Sequence, residues 1–196
     1  MKYTVQSSIE IAAPAAQIFT IISDHEGTPN WVSDVKKVVL AKPGNGNKNG
    51  KGAMRRVTFR PVLWSTVDEE ILTFEEGKGY TYRIMKGMPG LLDHLGQWEL
   101  EESAGVTKVT WTVGFDFKVW HWFRPFHGNF VGTFKGVQEK ALAGLKSAIK
   151  AQSPTSLKNR PTLRFNPAAF TISAPNVLLN SSTSEKIPSS SSILMA

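Results

Sequence analysis

The sequence predicts an α+β domain in which a seven-stranded antiparallel sheet curves around one long C-terminal helix, with two short helices after the first strand. Three observations carry this. Val5, Ser7, Ile9 and Ile11 alternate with Thr4, Gln6, Ser8 and Glu10, the period of a half-buried strand. Between 35 and 118, strand-length segments are divided by Gly- and Pro-rich breaks. Last, Phe123, Phe126, Phe130, Phe134, Val137, Ala141, Leu145 and Ala148 recur every three or four residues, the stripe of an amphipathic helix.

Taken in order, the first strand ends before Pro14, which opens a helix because its missing N–H falls where no intrahelical partner exists. Ile18, Phe19, Ile21 and Ile22 supply that helix's apolar face. A second short helical segment is expected over Asp24 to Trp31, interrupted by Gly27 and Pro29. Breaks at Pro43-Gly44-Asn45-Gly46, Glu76-Gly77-Lys78-Gly79, Met88-Pro89-Gly90 and Ser103-Ala104-Gly105 delimit strands over 35–41, 52–60, 64–74, 79–85, 95–102 and 106–118, forming an antiparallel meander. The loop Gly44 to Lys51 has the wrong glycine spacing for a phosphate loop and no following helix, and reads as a flexible hairpin tip. The final helix, about 26 residues from Pro125, is aromatic at its start and small at its end. Such a helix packs tightly on a sheet at its C-terminal half and leaves room at its N-terminal half.

Composition bounds the rest. The 196 residues carry a net charge of +7 and no cysteine, which excludes disulfides, thiolate metal sites and cysteine nucleophiles. No apolar run approaches the roughly 18 residues needed to span a bilayer, and the first residues lack the apolar core of a signal peptide. The expectation is a soluble, cytoplasmic protein without a transmembrane segment. All the Trp and Tyr residues fall within 1–150, whereas 151–196 is rich in Ser and Pro. The chain therefore divides into a folded domain over 1–150 and a basic, disordered tail over 151–196.

The order strand, two short helices, six strands and long helix resembles the helix-grip arrangement. The sequence is similar to the START-like superfamily, in its polyketide cyclase/dehydrase and lipid-transport branch. Ile9 to Phe19, Ile22-Ser23-Asp24, Pro29-Asn30-Trp31, Gly50-Lys51-Gly52, Gly96 to Leu100 and Thr107 to Trp111 carry the likeness, which covers about three quarters of the chain. It implies an apolar cavity between sheet and helix that relatives use for lipids, sterols, hormones or polyketides, some as cyclases and others as carriers. It settles no activity.

Strand alternation places Val109, Trp111, Val113, Phe115 and Phe117 on one face of the last strand. Trp98 and Leu100, Tyr80, Tyr82 and Ile84, and Val57 and Phe59 share the inward faces of theirs. The expected ligand contacts are Phe59, Trp64, Tyr82, Trp98, Trp111, Phe115, Phe126, Phe130 and Phe134, with Met88 and Leu91 as an adaptable lip and His94 or Arg83 as a polar anchor. His94 falls in the loop Met88 to His94, and helix-grip hormone receptors carry a ligand-closing His in a loop at this place. Asp93-His94-Leu95 lacks that motif's arginine.

The leading function is binding or carrying a small hydrophobic molecule, with no cofactor and no metal; His25, His94, His121 and His127 show no ligand spacing. Two other readings stay open. One is a cyclase or dehydratase with His94 or Asp93 in acid/base catalysis. The other is an interaction module using the basic hairpin and tail, though no specific nucleic-acid partner is expected. His121, Arg124 and His127 at the start of the long helix could hold an anion. Oligomeric state and ligand identity are left open. Finally, 35–60 holds eight basic residues and no acid, and 64–76 five acids and no base. In a meander these strands pair, so opposite charges are expected to face one another across the ladder.

Overall fold

The structure, a computed structural model, describes residues 3–60, 66–88, 90–118 and 127–152, with residues 117 and 127–130 as backbone only. The first strand, β1 (Tyr3–Ile11), leads into helix α1 (Ala15–Ser23). Pro14 is the N-cap of α1, and because it offers no capping side chain, Glu102 supplies one, accepting the Ala15 N–H at 2.8 Å. Ile18, Phe19 and Ile22 bury the helix's apolar face. The expected second helix is only a single 3-10 turn, Thr28–Asn30, as Gly27 and Pro29 interrupt the segment.

Strands β2 (Val35–Lys42), β3 (Met54–Phe59), β4 (Thr66–Glu75), β5 (Gly79–Lys86), β6 (Leu91–Ser103) and β7 (Val106–Phe117) follow as an antiparallel meander. The sheet order is β1-β7-β6-β5-β4-β3-β2, so β1 returns from the start of the chain to close on the last strand. Register shifts in the β2/β3, β4/β5 and β6/β7 ladders mark bulges, which bend strands and raise local twist. On the edge strand β2, Lys36 and Lys37 are exposed, charges that discourage edge-to-edge pairing.

Helix α2 (His127–Gln152) covers the sheet. Its C-terminal half is tightly packed: Ala141, Leu142, Leu145 and Ile149 are buried, whereas Val131, Phe134 and Val137 are half-buried. This is the gradient expected from the residue sizes. Gln138, polar and absent from the apolar stripe, is fully buried because it ties two strands to the helix. It accepts from Ser7 Oγ at 3.1 Å and donates to the Trp111 carbonyl at 3.2 Å. At Gly144 a Cβ would fall 2.0 Å from the Trp31 carbonyl oxygen, so glycine is what lets the segment after the 3-10 turn lie against α2.

Two sequence expectations need correction. The Gly44 to Lys51 loop is not a free tip: Asn45 N–H donates to the Lys51 carbonyl at 3.0 Å, Gly52 N–H to the Ile71 carbonyl at 2.8 Å, and Asn49 is buried. His94 is not in a loop but within β6, which stays paired to β7 as far as Leu91 opposite Phe117. The residues 151–196, expected to be a tail, lie outside the described residues except for Ala151 and Gln152, which continue α2.

Candidate functional site

The inner faces of six strands, β2 to β7, converge beneath α2. Parity along β5 turns Tyr80 and Tyr82 inward, and along β6 and β7 it turns Trp98, Trp111, Val113 and Phe115 inward. Trp98 and Trp111 are register partners whose rings stack at 4.7 Å and 14°, and Trp31 meets Trp98 edge-on at 5.9 Å and 80°. Trp111 Nε1 donates to the Tyr82 hydroxyl at 3.1 Å. Gly96 makes this possible: a Cβ there would lie 2.1 Å from Tyr82 Cζ, so the tyrosine ring lies across bare backbone.

Between these rings, α2 and the 3-10 segment lies a cavity of about 140 Å³, close to the roughly 150 Å³ of an engineered cavity that takes up benzene. Of the residues expected to contact a ligand, Phe59, Tyr82, Met88, Leu91, His94, Trp98, Trp111, Phe115 and Phe134 line it. Trp64 and Phe126 lie outside the described residues, as do His121 and Arg124, and the side chains of Phe130 and His127 are likewise outside them.

Two expected residues are placed elsewhere. Arg83 follows Tyr82 on β5 and so points to the opposite face, where its Nε and Nη2 donate to Glu70 at 3.1 and 2.8 Å. Asp93 is exposed and does not border the cavity. His94 does, in a specific state. The β5/β6 ladder runs only from Gly79 to Tyr82 on β5, and beyond it the Ile84 N–H donates to His94 Nδ1 at 3.3 Å. With Nδ1 accepting, the neutral ring carries its proton on Nε2. Burial lowers the His94 pKa to about 4, against a weaker opposing effect of Asp93.

Sequence reasoning missed the most unusual part of the lining. Arg55 and Glu69 are register partners on β3 and β4, both buried, and both border the cavity. Arg55 Nε donates to Glu69 Oε2 at 2.7 Å, and Arg55 Nη1 donates to His25 Nδ1 at 2.7 Å. His25, wholly buried after α1, donates from Nε2 to the Asn49 carbonyl at 2.9 Å. Burial, with the Arg55 charge adding to it, lowers the His25 pKa to about 3, so the ring is neutral. Burial is the largest single effect on Arg55 and works against its charge, but Glu69 together with Tyr80 and Tyr82 outweighs it, and the guanidinium pKa lies above its ordinary value. The guanidinium also sits 5.1 Å from the Tyr82 ring centroid and 5.8 Å from that of Tyr80. Burial raises the pKa of both phenols.

A scan against family models matches residues 2–150 to the family described as polyketide cyclase/dehydrase and lipid transport. The chain belongs to that family. A search of curated proteins finds no match. Among solved structures, the chain is similar to the Zhui aromatase/cyclase from Streptomyces sp. R1128, with a TM-score of 0.64 and 14% identity over 76% of this chain and 94% of that one. It is similar to a START superfamily protein from Mycobacterium smegmatis, with a TM-score of 0.62 and 18% identity over 76% and 99% of the two chains. The protein TTHA0849 from Thermus thermophilus gives a TM-score of 0.64 and 16% identity over 77% and 99%. At these identities the structural likeness establishes the helix-grip fold alone. Among the described residues no helix is long and apolar enough to cross a membrane, and no three His, Asp or Glu residues gather as metal ligands.

Proposed function

We propose that this family member binds a small, flat, largely apolar molecule in the cavity between the sheet and α2, and acts as a carrier or sequestering protein. The observation that carries this reading is the aromatic cavity itself, walled by the Trp98–Trp111 stack and by Tyr82, Phe115 and Phe134. Burying apolar surface there would drive binding at roughly 25 cal/mol per Å², less the cost of immobilising the guest. The lipid-transport part of the family description supports it.

The cyclase or dehydratase reading has weaker support from the residues. His94 has Nδ1 occupied and a lowered pKa, which leaves it a hydrogen-bond donor through Nε2 and a poor proton acceptor near pH 7. Asp93 faces solvent. Native mass spectrometry of the full chain purified from cells tests the proposal. The expected result is one small molecule per chain, released on gentle denaturation and apolar enough to partition into organic solvent. A chain that is always empty and takes up no added apolar compound would contradict it.

A further inference from the structure

An apolar cavity for an apolar guest has no use for a buried ion pair. Removing an arginine and a glutamate from water costs several kcal/mol each, and their mutual attraction often does no more than offset this. Yet Arg55 and Glu69 stand on inward-facing positions of neighbouring strands, with side chains 8% and 7% exposed, and both border the cavity. The pair is also incompletely used. Glu69 Oε2 holds the Arg55 Nε–H and one Nη1–H goes to His25. A guanidinium has five N–H groups and a carboxylate about four lone-pair sites, so among the described residues donor capacity on Arg55 and acceptor capacity on Glu69 are left over side by side.

The charges decide what can fill that position. Arg55 and Glu69 cancel, and His25 accepts from Arg55 through one nitrogen and donates to the Asn49 carbonyl through the other, which makes it neutral. An incoming carboxylate would meet Glu69 as closely as Arg55, and would give up its own hydration for no net opposite charge. A purely apolar group would strip water from both ions without replacing it. A hydroxyl avoids both penalties, because it accepts from the guanidinium with its lone pair and donates to the carboxylate with its proton.

We infer that the Arg55–Glu69 end of the cavity is a receptor for a neutral hydroxyl group, so that the guest is an apolar ring system bearing an alcohol or phenol and not a carboxylic acid. This rests on the cavity being a binding site. Three probes of one shape separate the two ideas: 2-naphthol, 2-naphthoate and 2-methylnaphthalene, titrated at pH 7 into the full chain and followed by calorimetry or tryptophan fluorescence. The expected order places 2-naphthol at least tenfold tighter than 2-naphthoate, on the order expected for hydrogen bonds to charged groups. In Glu69→Gln, which leaves Arg55 uncompensated, 2-naphthoate affinity rises about tenfold or more. In the double variant Arg55→Met/Glu69→Leu, the ratio of 2-naphthol to 2-methylnaphthalene affinity falls about tenfold. If 2-naphthoate binds wild type as tightly as 2-naphthol, or the ratio is unchanged in the double variant, the hydroxyl receptor is wrong while the cavity stands. If none of the three binds, the binding reading itself fails. The wild-type ranking decides the matter even where a variant does not fold.

Discussion

Two arginine–carboxylate pairs stand side by side on β3 and β4, and the one-residue step between them reverses their surroundings. Arg56 and Asp68 face outward and pair in fork fashion, Nε to Oδ1 at 2.6 Å and Nη2 to Oδ2 at 2.9 Å. Arg55 and Glu69 face inward, hold one contact at 2.7 Å, and enlist buried His25. The outer pair has the better geometry and the inner pair the greater consequence. Water screens the first, so it adds little beyond helping to set register. Nothing screens the second, so each partner depends on the other. The same contrast recurs across the sheet: Arg83 with Glu70 outside, the tyrosines and tryptophans inside.

The harshest way to break the comparison is to remove one inner partner. Glu69→Ala or Arg55→Ala leaves an unpaired buried charge and should destabilise the fold by roughly 3–5 kcal/mol in denaturant titrations. The double variant Arg55→Met/Glu69→Leu should recover most of that loss. If the single and double variants lose equally, the inner residues act through packing and not charge. Acid gives the next effect. The His25 pKa is lowered by burial from 6.5 to about 3, so below pH 6.5 the unfolded chain takes up a proton that the folded chain refuses. Stability is then full above about 6.5 and falls as pH drops toward about 3, by on the order of a few kcal/mol. His94 adds to the fall in the same direction down to about 4. Proton NMR should show the His25 ring not titrating between pH 8 and 5; a midpoint near 6.5 would contradict its neutral role.

Smaller changes sharpen the contrast. Gly96→Ala puts a Cβ within 2.1 Å of the Tyr82 ring and should cost roughly 1–3 kcal/mol through overpacking, with the Trp111 to Tyr82 hydrogen bond lost. A red or blue shift in tryptophan emission would report the latter. Asp68→Ala, on the outer face, should change stability least, and the difference from wild type should shrink further in 1 M salt, where the screening length is about 3 Å. A loss as large as that of Glu69→Ala would abolish the distinction between the faces.

Much of this architecture is legible in the residues. Period-two alternation and the Gly/Pro breaks delimit the strands of the meander apart from the start of β6, and the opposed charge blocks of 35–60 and 64–76 become cross-strand pairs in register. The inward aromatic residues follow from parity alone. Parity also carries a signal that charge obscures. Arg55 alternates with Ala53, Val57 and Phe59, and Glu69 with Val67 and Ile71, but charged strand residues are usually assigned to the wet face, and only the pairing of the two strands shows that each neutralises the other. The strand position of His94 is not legible, because Pro89-Gly90 signals a turn without saying how soon the next strand begins. His25 gives no local signal, since its partners come from β3 and from the loop after β2.

The cavity is the central claim, and filling it from the helix side tests it most directly. Val137 on α2 lines the cavity and is only half-buried, so Val137→Phe occupies the space without opening the core. Titration of a small neutral fluorescent probe, 2-methylnaphthalene, should give one saturable site per chain in wild type and at least about tenfold weaker binding in Val137→Phe, with circular dichroism unchanged. Equal binding by both proteins, or no saturable binding by wild type, would contradict the account.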